Sequence, residues 1–151
     1  MTPSAAQFIR PLTFEGLTGQ PVICDTPHAA QAPAEAGIAH IAWPRWADCA
    51  VIAPLTASTL GKMAHGVADN NLLTMWLALR ADVPQLLCPA MNPTMWTHPS
   101  VKRNIEIVSS WKRCELEGPI DKRVACGEQG EGGLQEVPLI VARVQGLLRL
   151  A

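Results

Sequence analysis

Apolar residues along this chain come in short blocks, and their spacing predicts a succession of helices and strands. From Ser4 through Gln20 it predicts two short helices broken at Pro11, with Phe8, Ile9, Leu12, Phe14 and Leu17 as their apolar face. Pro21 to Cys24 is short and loop-like. Asp25 to Ala36, rich in Ala and Pro and without period, suits a solvent-facing connection. The continuous run from Cys49 to Pro54 predicts a strand buried on both faces. Thr56 to Ser58 then lead into an amphipathic helix start, Thr59 to Ala64, with hydroxyl residues at its N-terminus. A helix is expected over Leu72 to Leu79 and a second buried strand over Pro84 to Cys88. Ser100 to Trp111 reads as a helix opened by Pro99, Cys114 to Leu116 as a short strand, and Val137 to Leu150 as a terminal amphipathic helix. Strands alternating with helices predict an α/β fold, a parallel three-layer sheet flanked by helices.

Length and composition narrow the class. A chain of 151 residues reads as one domain, 1–151, able to bury about two-thirds of its unfolded surface. With 48% hydrophobic and 17% charged residues it is too apolar for disorder. A net charge of -1 without a long basic run argues against nucleic acid as a partner. No apolar stretch approaches the ~20 residues that span a bilayer, and the first residues lack the pattern of a signal peptide, so a cytoplasmic protein is expected. The five cysteines form an odd set without a CxxC pair, and the four histidines are scattered. Reduced thiols and no metal site are therefore expected, with Cys49 and Cys88 as small core residues.

The segment Pro89-Ala90-Met91-Asn92-Pro93-Thr94-Met95-Trp96 changes the picture most. It follows the apolar run Gln85 to Cys88 and sets a polar amide between two prolines and two methionines. Ligands in an open α/β sheet sit outside the carboxyl ends of the strands, where this asparagine falls. Its carboxamide both donates and accepts, which suits it to gripping a carboxylate. Met95 and Trp96 read as packing residues, and His65 and His98 as structural or exposed ones.

Three further features carry candidate chemistry. His40 lies in a segment running to Asp48, just ahead of the first strong strand; a lone histidine is usually structural, yet an imidazole can move protons at neutral pH. Thr56, Ala57, Ser58 and Thr59 form a strand-to-helix turn. It is either a plain hydroxyl-rich cap or a place where amides and hydroxyls meet a phosphate or a ring edge. The run from Arg123 to Leu134 is glycine-rich, which usually means a mobile surface loop, and its spacing is not a dinucleotide fingerprint.

Taken in order, these segments resemble the flavin-dependent cysteine decarboxylases, a family that includes phosphopantothenoylcysteine decarboxylases and enzymes acting on C-terminal cysteines of peptides. Pro89 to Trp96 is similar to the family's PxMNxxMW motif, and His40 to Asp48 to its HIxLxxWAD stretch. Ala53 to Thr59 resembles APxTANT, with Ser58 in place of asparagine. Val124 to Leu134 resembles the substrate-clamping flap LACGxxGxGRM, with Gly133 where arginine is common and Leu134 where methionine is usual.

The resemblance runs from Phe8 to the last helix and implies a Rossmann-like (flavodoxin-like) fold with FMN as cofactor. It implies cofactor contacts at Thr56, Ala57, Ser58, Thr59, Ala90 and Met91, with Thr2 and Ser4 as a further contact. It implies His40 as a catalytic proton manager, Asn92 as the holder of the substrate carboxylate, and Arg123, Ala125 and Leu134 as substrate contacts. Cys126 corresponds to the flap cysteine that protonates the ene-thiol as it is reduced to the saturated product; the family's peptide decarboxylases generally lack it. The implied reaction is decarboxylation of 4'-phospho-N-pantothenoylcysteine to 4'-phosphopantetheine, on the route to coenzyme A, in a homotrimer or dodecamer.

A doubly wound sheet normally opens with a strand, a ligand-binding turn and a helix, a unit of about 30 residues. This chain opens on a helix. The expectation is therefore an N-terminally truncated domain lacking the first strand and the flavin-phosphate loop, with a start assigned too late as the favoured explanation over a fragment or a truncated paralogue. Two other functions stay open: a peptide C-terminal cysteine decarboxylase, and a non-catalytic or regulatory subunit of a heteromeric flavoprotein.

Overall fold

The structure, a computed structural model, describes residues 1–25, 39–123 and 127–150, with backbone alone at 39–42 and 150. The chain divides into two compact units, one of residues 1–47 and 67–80, the other of residues 48–66 and 81–151.

In the first unit, α1 (Ala5–Phe8) and α2 (Pro11–Thr18) are the two short helices expected. The break falls where it does because Pro11 opens α2 at a position that needs no N–H. Gly19, in the left-handed region at φ 67°, ends α2. Their apolar residues are not buried: Phe8 is 88% exposed, Leu12 74% and Leu17 79%. The unit also holds α3 (Ala39–Trp46), which the sequence reading had not recognised as a helix, with Pro44 inside it. The Trp43 and Trp46 rings stand edge to face at 6.5 Å. A further helix of this unit follows in chain order after β1 (Ala50–Leu55) and α4 (Ala57–Ala64): α5 (Asn71–Leu77). Asn70 caps it by accepting from the Leu73 amide at 3.0 Å, and the Asp25 carboxylate accepts from the Asn71 amide at 3.0 Å.

The second unit is built on a parallel sheet in the order β1, β2 (Gln85–Pro89), β3 (Cys114–Leu116). In chain order α6 (Pro93–Thr97) and α7 (Pro99–Ser109) come between β2 and β3. They are followed by β4 (Ile120–Arg123), β5 (Gln129–Gly133) and α8 (Val137–Leu150). This is the helix-flanked parallel arrangement that the sequence pattern predicts, and the flavodoxin-like one that the resemblance implies.

Central β2 is buried throughout its apolar run: Leu86, Leu87 and Cys88 are all fully covered. Leu86 and Cys88 share one face and pack with Ile140 and Leu147 of α8, while Leu87 points to the opposite face. The α8 stripe and the β2 run are thus one core, joined at its edge by Cys49, Leu134 and Val144.

Strand β1 departs from expectation. It was read as buried on both faces, yet Val51 is 41% exposed and Ala53 and Pro54 are exposed as well. The reason is position: β1 pairs with β2 alone among the described strands. Its register shifts between Ile52 and Leu55, where Pro54 has no N–H to donate to the ladder.

Burial also settles the chemistry of the core thiols. It pushes the Cys88 thiol up to about 11, with Glu117 adding to the effect, and the Cys114 thiol up to about 11, with Glu115 adding. Cys49 is raised by burial too. These are protonated packing groups, as expected of Cys49 and Cys88.

Candidate functional site

Two strand ends lie side by side at one edge of the parallel sheet, because the Ala90 amide donates to the Leu55 carbonyl at 3.0 Å. The residues that follow β1 and those that follow β2 are therefore neighbours, outside the carboxyl ends of adjacent parallel strands.

Beyond β1, Thr56 is extended and caps α4, its hydroxyl accepting from the Thr59 amide at 3.3 Å and lying 3.2 Å from the Thr59 hydroxyl. The Leu60 amide is taken by the Thr56 carbonyl at 2.9 Å. The amides of Ala57 and Ser58, in the first turn, have no intrahelical acceptor. Hydroxyls at 56, 58 and 59 and two open amides at the positive end of a helix make a cradle for phosphate or for carbonyl and ring-nitrogen edges. The residues present fit FMN. The hydroxyl-rich cap is real, and it leaves donors to spare.

Beyond β2, Asn92 is the N-cap of α6 and Pro93 its first residue, an Asn-Pro start that would have betrayed this short helix in the sequence. The Asn92 Oδ1 accepts from the Thr94 amide at 2.8 Å and the Met95 amide at 3.4 Å. Those two bonds fix which way the carboxamide faces, so that Nδ2 points outward. There it donates to the Glu128 carboxylate at 2.9 Å. Trp96 is buried, with the Lys102 ammonium 4.0 Å above its ring, which agrees with its reading as a packing residue; Met95 is exposed.

The described part of the glycine-rich run is mostly regular strand. It is the second arm of an antiparallel hairpin, β5 pairing with β4 from Ile120↔Gly133 to Arg123↔Gln129. The glycines are needed for contact as well as for turning. The Met91 amide donates to the Gly132 carbonyl at 2.9 Å, and a Cβ at Gly132 would meet the Met91 carbonyl oxygen at 2.2 Å. A Cβ at Gly130 would come within 3.0 Å of Pro93, and at Gly133 within 2.6 Å of the Lys122 Cβ. Only glycine at 130 and 132 lets the strand lie this close to the Asn92 loop. Gly127, at φ 88°, makes the turn next to Glu128, and the Arg123 guanidinium lies 4.0 Å from where its Cβ would be.

The structure thus brings together Thr56, Ala57, Ser58, Thr59, Ala90, Met91 and Asn92, with the hairpin of Arg123 against the Asn92 loop. Leu134, half-buried, packs on the core cluster at the hairpin's foot. Thr2 and Ser4 belong to the first unit; the Thr2 hydroxyl accepts from the Ala5 amide at 3.1 Å, and the Ser4 side chain makes no cap bond. His40 falls in α3 by its backbone, and its side chain, like Ala125 and Cys126, lies outside the described residues. His65 and His98 are exposed and locally bonded, to the Gly61 carbonyl at 2.8 Å and from the Ser100 amide at 3.2 Å. Glu128 is the residue that sequence reasoning missed, since its partner stands 36 positions away. Among the described residues there is no cluster of metal-binding side chains, and no helix long and apolar enough to cross a membrane.

Known proteins agree with this geometry. The Coenzyme A biosynthesis bifunctional protein CoaBC of Bacillus subtilis is 43% identical over 93% of this chain, which spans 33% of that protein. The phosphopantothenoylcysteine decarboxylase of Mus musculus is 41% identical over 74% of the chain, spanning 54% of that enzyme. The chain therefore covers between a third and about half of these two relatives. Among solved structures, a PPC decarboxylase mutant complexed with pantothenoylaminoethenethiol matches with a TM-score of 0.75 and 31% identity, over 95% of this chain and 78% of that one. A family model described as Flavoprotein matches residues 1–149. A parallel sheet whose strand ends carry an open helix cap and a glycine-clamped asparagine thus has a family to match, and this chain belongs to the Flavoprotein family.

Proposed function

We propose that this chain is an FMN-dependent phosphopantothenoylcysteine decarboxylase, converting 4'-phospho-N-pantothenoylcysteine to 4'-phosphopantetheine in coenzyme A biosynthesis. The observation that carries the reading is the orientation of Asn92. Its oxygen is committed to α6, so Nδ2 faces outward beside the α4 cap, where it already donates to a carboxylate, that of Glu128. The relatives named above support the substrate class.

Ala57 and Ser58 amides, the hydroxyls of Thr56, Ser58 and Thr59, and the Ala90–Met91 backbone would hold the cofactor. The two-electron oxidation of the cysteinyl thiol, which creates the electron sink for loss of carbon dioxide, is the chemistry that FMN supplies when bound. Asn92 holds the substrate carboxylate until it leaves. His40 manages the protons of the thiol, Cys126 supplies the proton that completes the saturated product, and Arg123, Ala125 and Leu134 contribute to substrate grip at the flap. The same electrons leave and return, so the net change is one proton taken up and one carbon dioxide released. The hairpin lying over the Asn92 loop excludes water from the reacting carbons. An assembly of at least three copies in the cytoplasm belongs to the same reading, as do contacts from Thr2 and Ser4 to the cofactor.

A Cys126→Ser variant tests the assignment. It should release carbon dioxide yet accumulate the oxidised ene-thiol, seen by mass spectrometry as a product two hydrogens short. Normal saturated product from that variant would remove Cys126 from the mechanism and reopen the peptide-cysteine alternative.

A further inference from the structure

The carboxylate position on Asn92 already has an occupant, and it comes from the chain itself. Glu128 places its Oε2 2.9 Å from the Asn92 Nδ2. Contacts around this bond hold the hairpin in place. The Gly132 carbonyl is tied to the Met91 amide at 2.9 Å, Gly130 lies against Pro93, and Gly127 turns the chain at φ 88°. The amide cannot turn away, because its oxygen is held by the Thr94 and Met95 amides. A second carboxylate brought to the same nitrogen would meet a like charge at close range, an arrangement that disfavours both being ionised there together.

We propose that Glu128 is a stand-in for the substrate carboxylate, a built-in competitor that the substrate must displace from Asn92 to bind. This rests on the reading of Asn92 as the carboxylate holder. Only a ligand bearing its own carboxylate, correctly placed, offers Asn92 a replacement for the bond it gives up. When carbon dioxide departs, Glu128 returns to the vacated amide. The residue thus lowers the apparent affinity for carboxylate-bearing ligands and leaves that for the decarboxylated product unchanged, without touching the reacting carbons.

Calorimetry on the purified, flavin-loaded protein tests this with two unreactive probes. One is phosphopantothenoylserine, whose hydroxyl replaces the thiol; the other is phosphopantothenoylethanolamine, which lacks the carboxylate. Removing a competitor raises apparent affinity by the fraction of molecules it had occupied, so Glu128→Ala should bind the serine probe roughly three- to tenfold more tightly. Its affinity for the ethanolamine probe should not change. Serine-probe affinity that is unchanged or weakened in Glu128→Ala overturns the proposal. Asn92→Asp separates this from the underlying reading, since it keeps the cap oxygen but replaces the donor by an acceptor. It should lose the serine probe and keep the ethanolamine probe. If Asn92→Asp treats both alike, Asn92 is not the carboxylate holder and the proposal falls with that reading. If Asn92→Asp discriminates while Glu128→Ala changes nothing, only the role of Glu128 is lost.

Discussion

Asn92 has two tasks that different substitutions can separate. Its oxygen stabilises the first turn of α6, while its nitrogen donates to Glu128 and, in the proposed function, holds the substrate carboxylate. Asn92→Ala should lose both, with about 1 kcal/mol of stability going with the cap. Asn92→Ser should retain most of the cap and still lose the charge-assisted bond to substrate, at about 1.5–3 kcal/mol in kcat/KM. Thermal melts and steady-state kinetics on the pair check this; equal stability loss in both variants would mean that the cap matters less than the geometry states. The buried thiols set a second expectation. Cys88 and Cys114 titrate in the folded chain at about 11, above the ordinary value of 9.0. The stability they contribute is therefore complete below pH 9.0 and is lost as pH rises towards 11. Urea midpoints across that alkaline window should fall, and a Cys88→Ala, Cys114→Ala variant should show a flatter decline. At this scale the sequence was informative where a residue type sat badly with its neighbours, as Asn92 does between two prolines. It was silent about Glu128, an acidic residue of ordinary appearance whose meaning lies in a distant contact.

Helices and strands show the same division. Val137 to Leu150 and Cys114 to Leu116 were legible to the residue, because periodicity and burial agree there. The β4–β5 hairpin was not. Gln, Gly and Glu are poor strand formers, so pairing driven by backbone contact with β4 and with the Asn92 loop leaves no propensity signal. Strand β1 misled in the other direction: an apolar run looks alike on a central strand and on an edge. The hairpin account predicts that its glycines differ sharply from helical ones. Gly132→Ala forces a Cβ to within 2.2 Å of the Met91 oxygen and should cost about 1–3 kcal/mol, with a loss of activity as the hairpin lifts. Gly146→Ala, in α8 with no atom within 4 Å, should stabilise by about 0.5–1 kcal/mol and leave kinetics unchanged. Melting temperatures for the two variants should move in opposite directions; a shift of the same sign would refute the close docking of β5.

For the whole molecule, the order of motifs along the chain matters more than any single one. Separate segments converge on one end of the parallel sheet: a helix cap after β1, an asparagine loop after β2, and a glycine strand laid across the latter. The central claim is that this convergence makes an FMN-dependent decarboxylase for a cysteinyl substrate. The most direct test is mass spectrometry of the products after anaerobic incubation of the purified, visibly yellow protein with 4'-phospho-N-pantothenoylcysteine. The account predicts full conversion to a species lighter by one carbon dioxide, carrying the saturated aminoethanethiol end. Protein that shows a bound-flavin spectrum and leaves the substrate unchanged would contradict it.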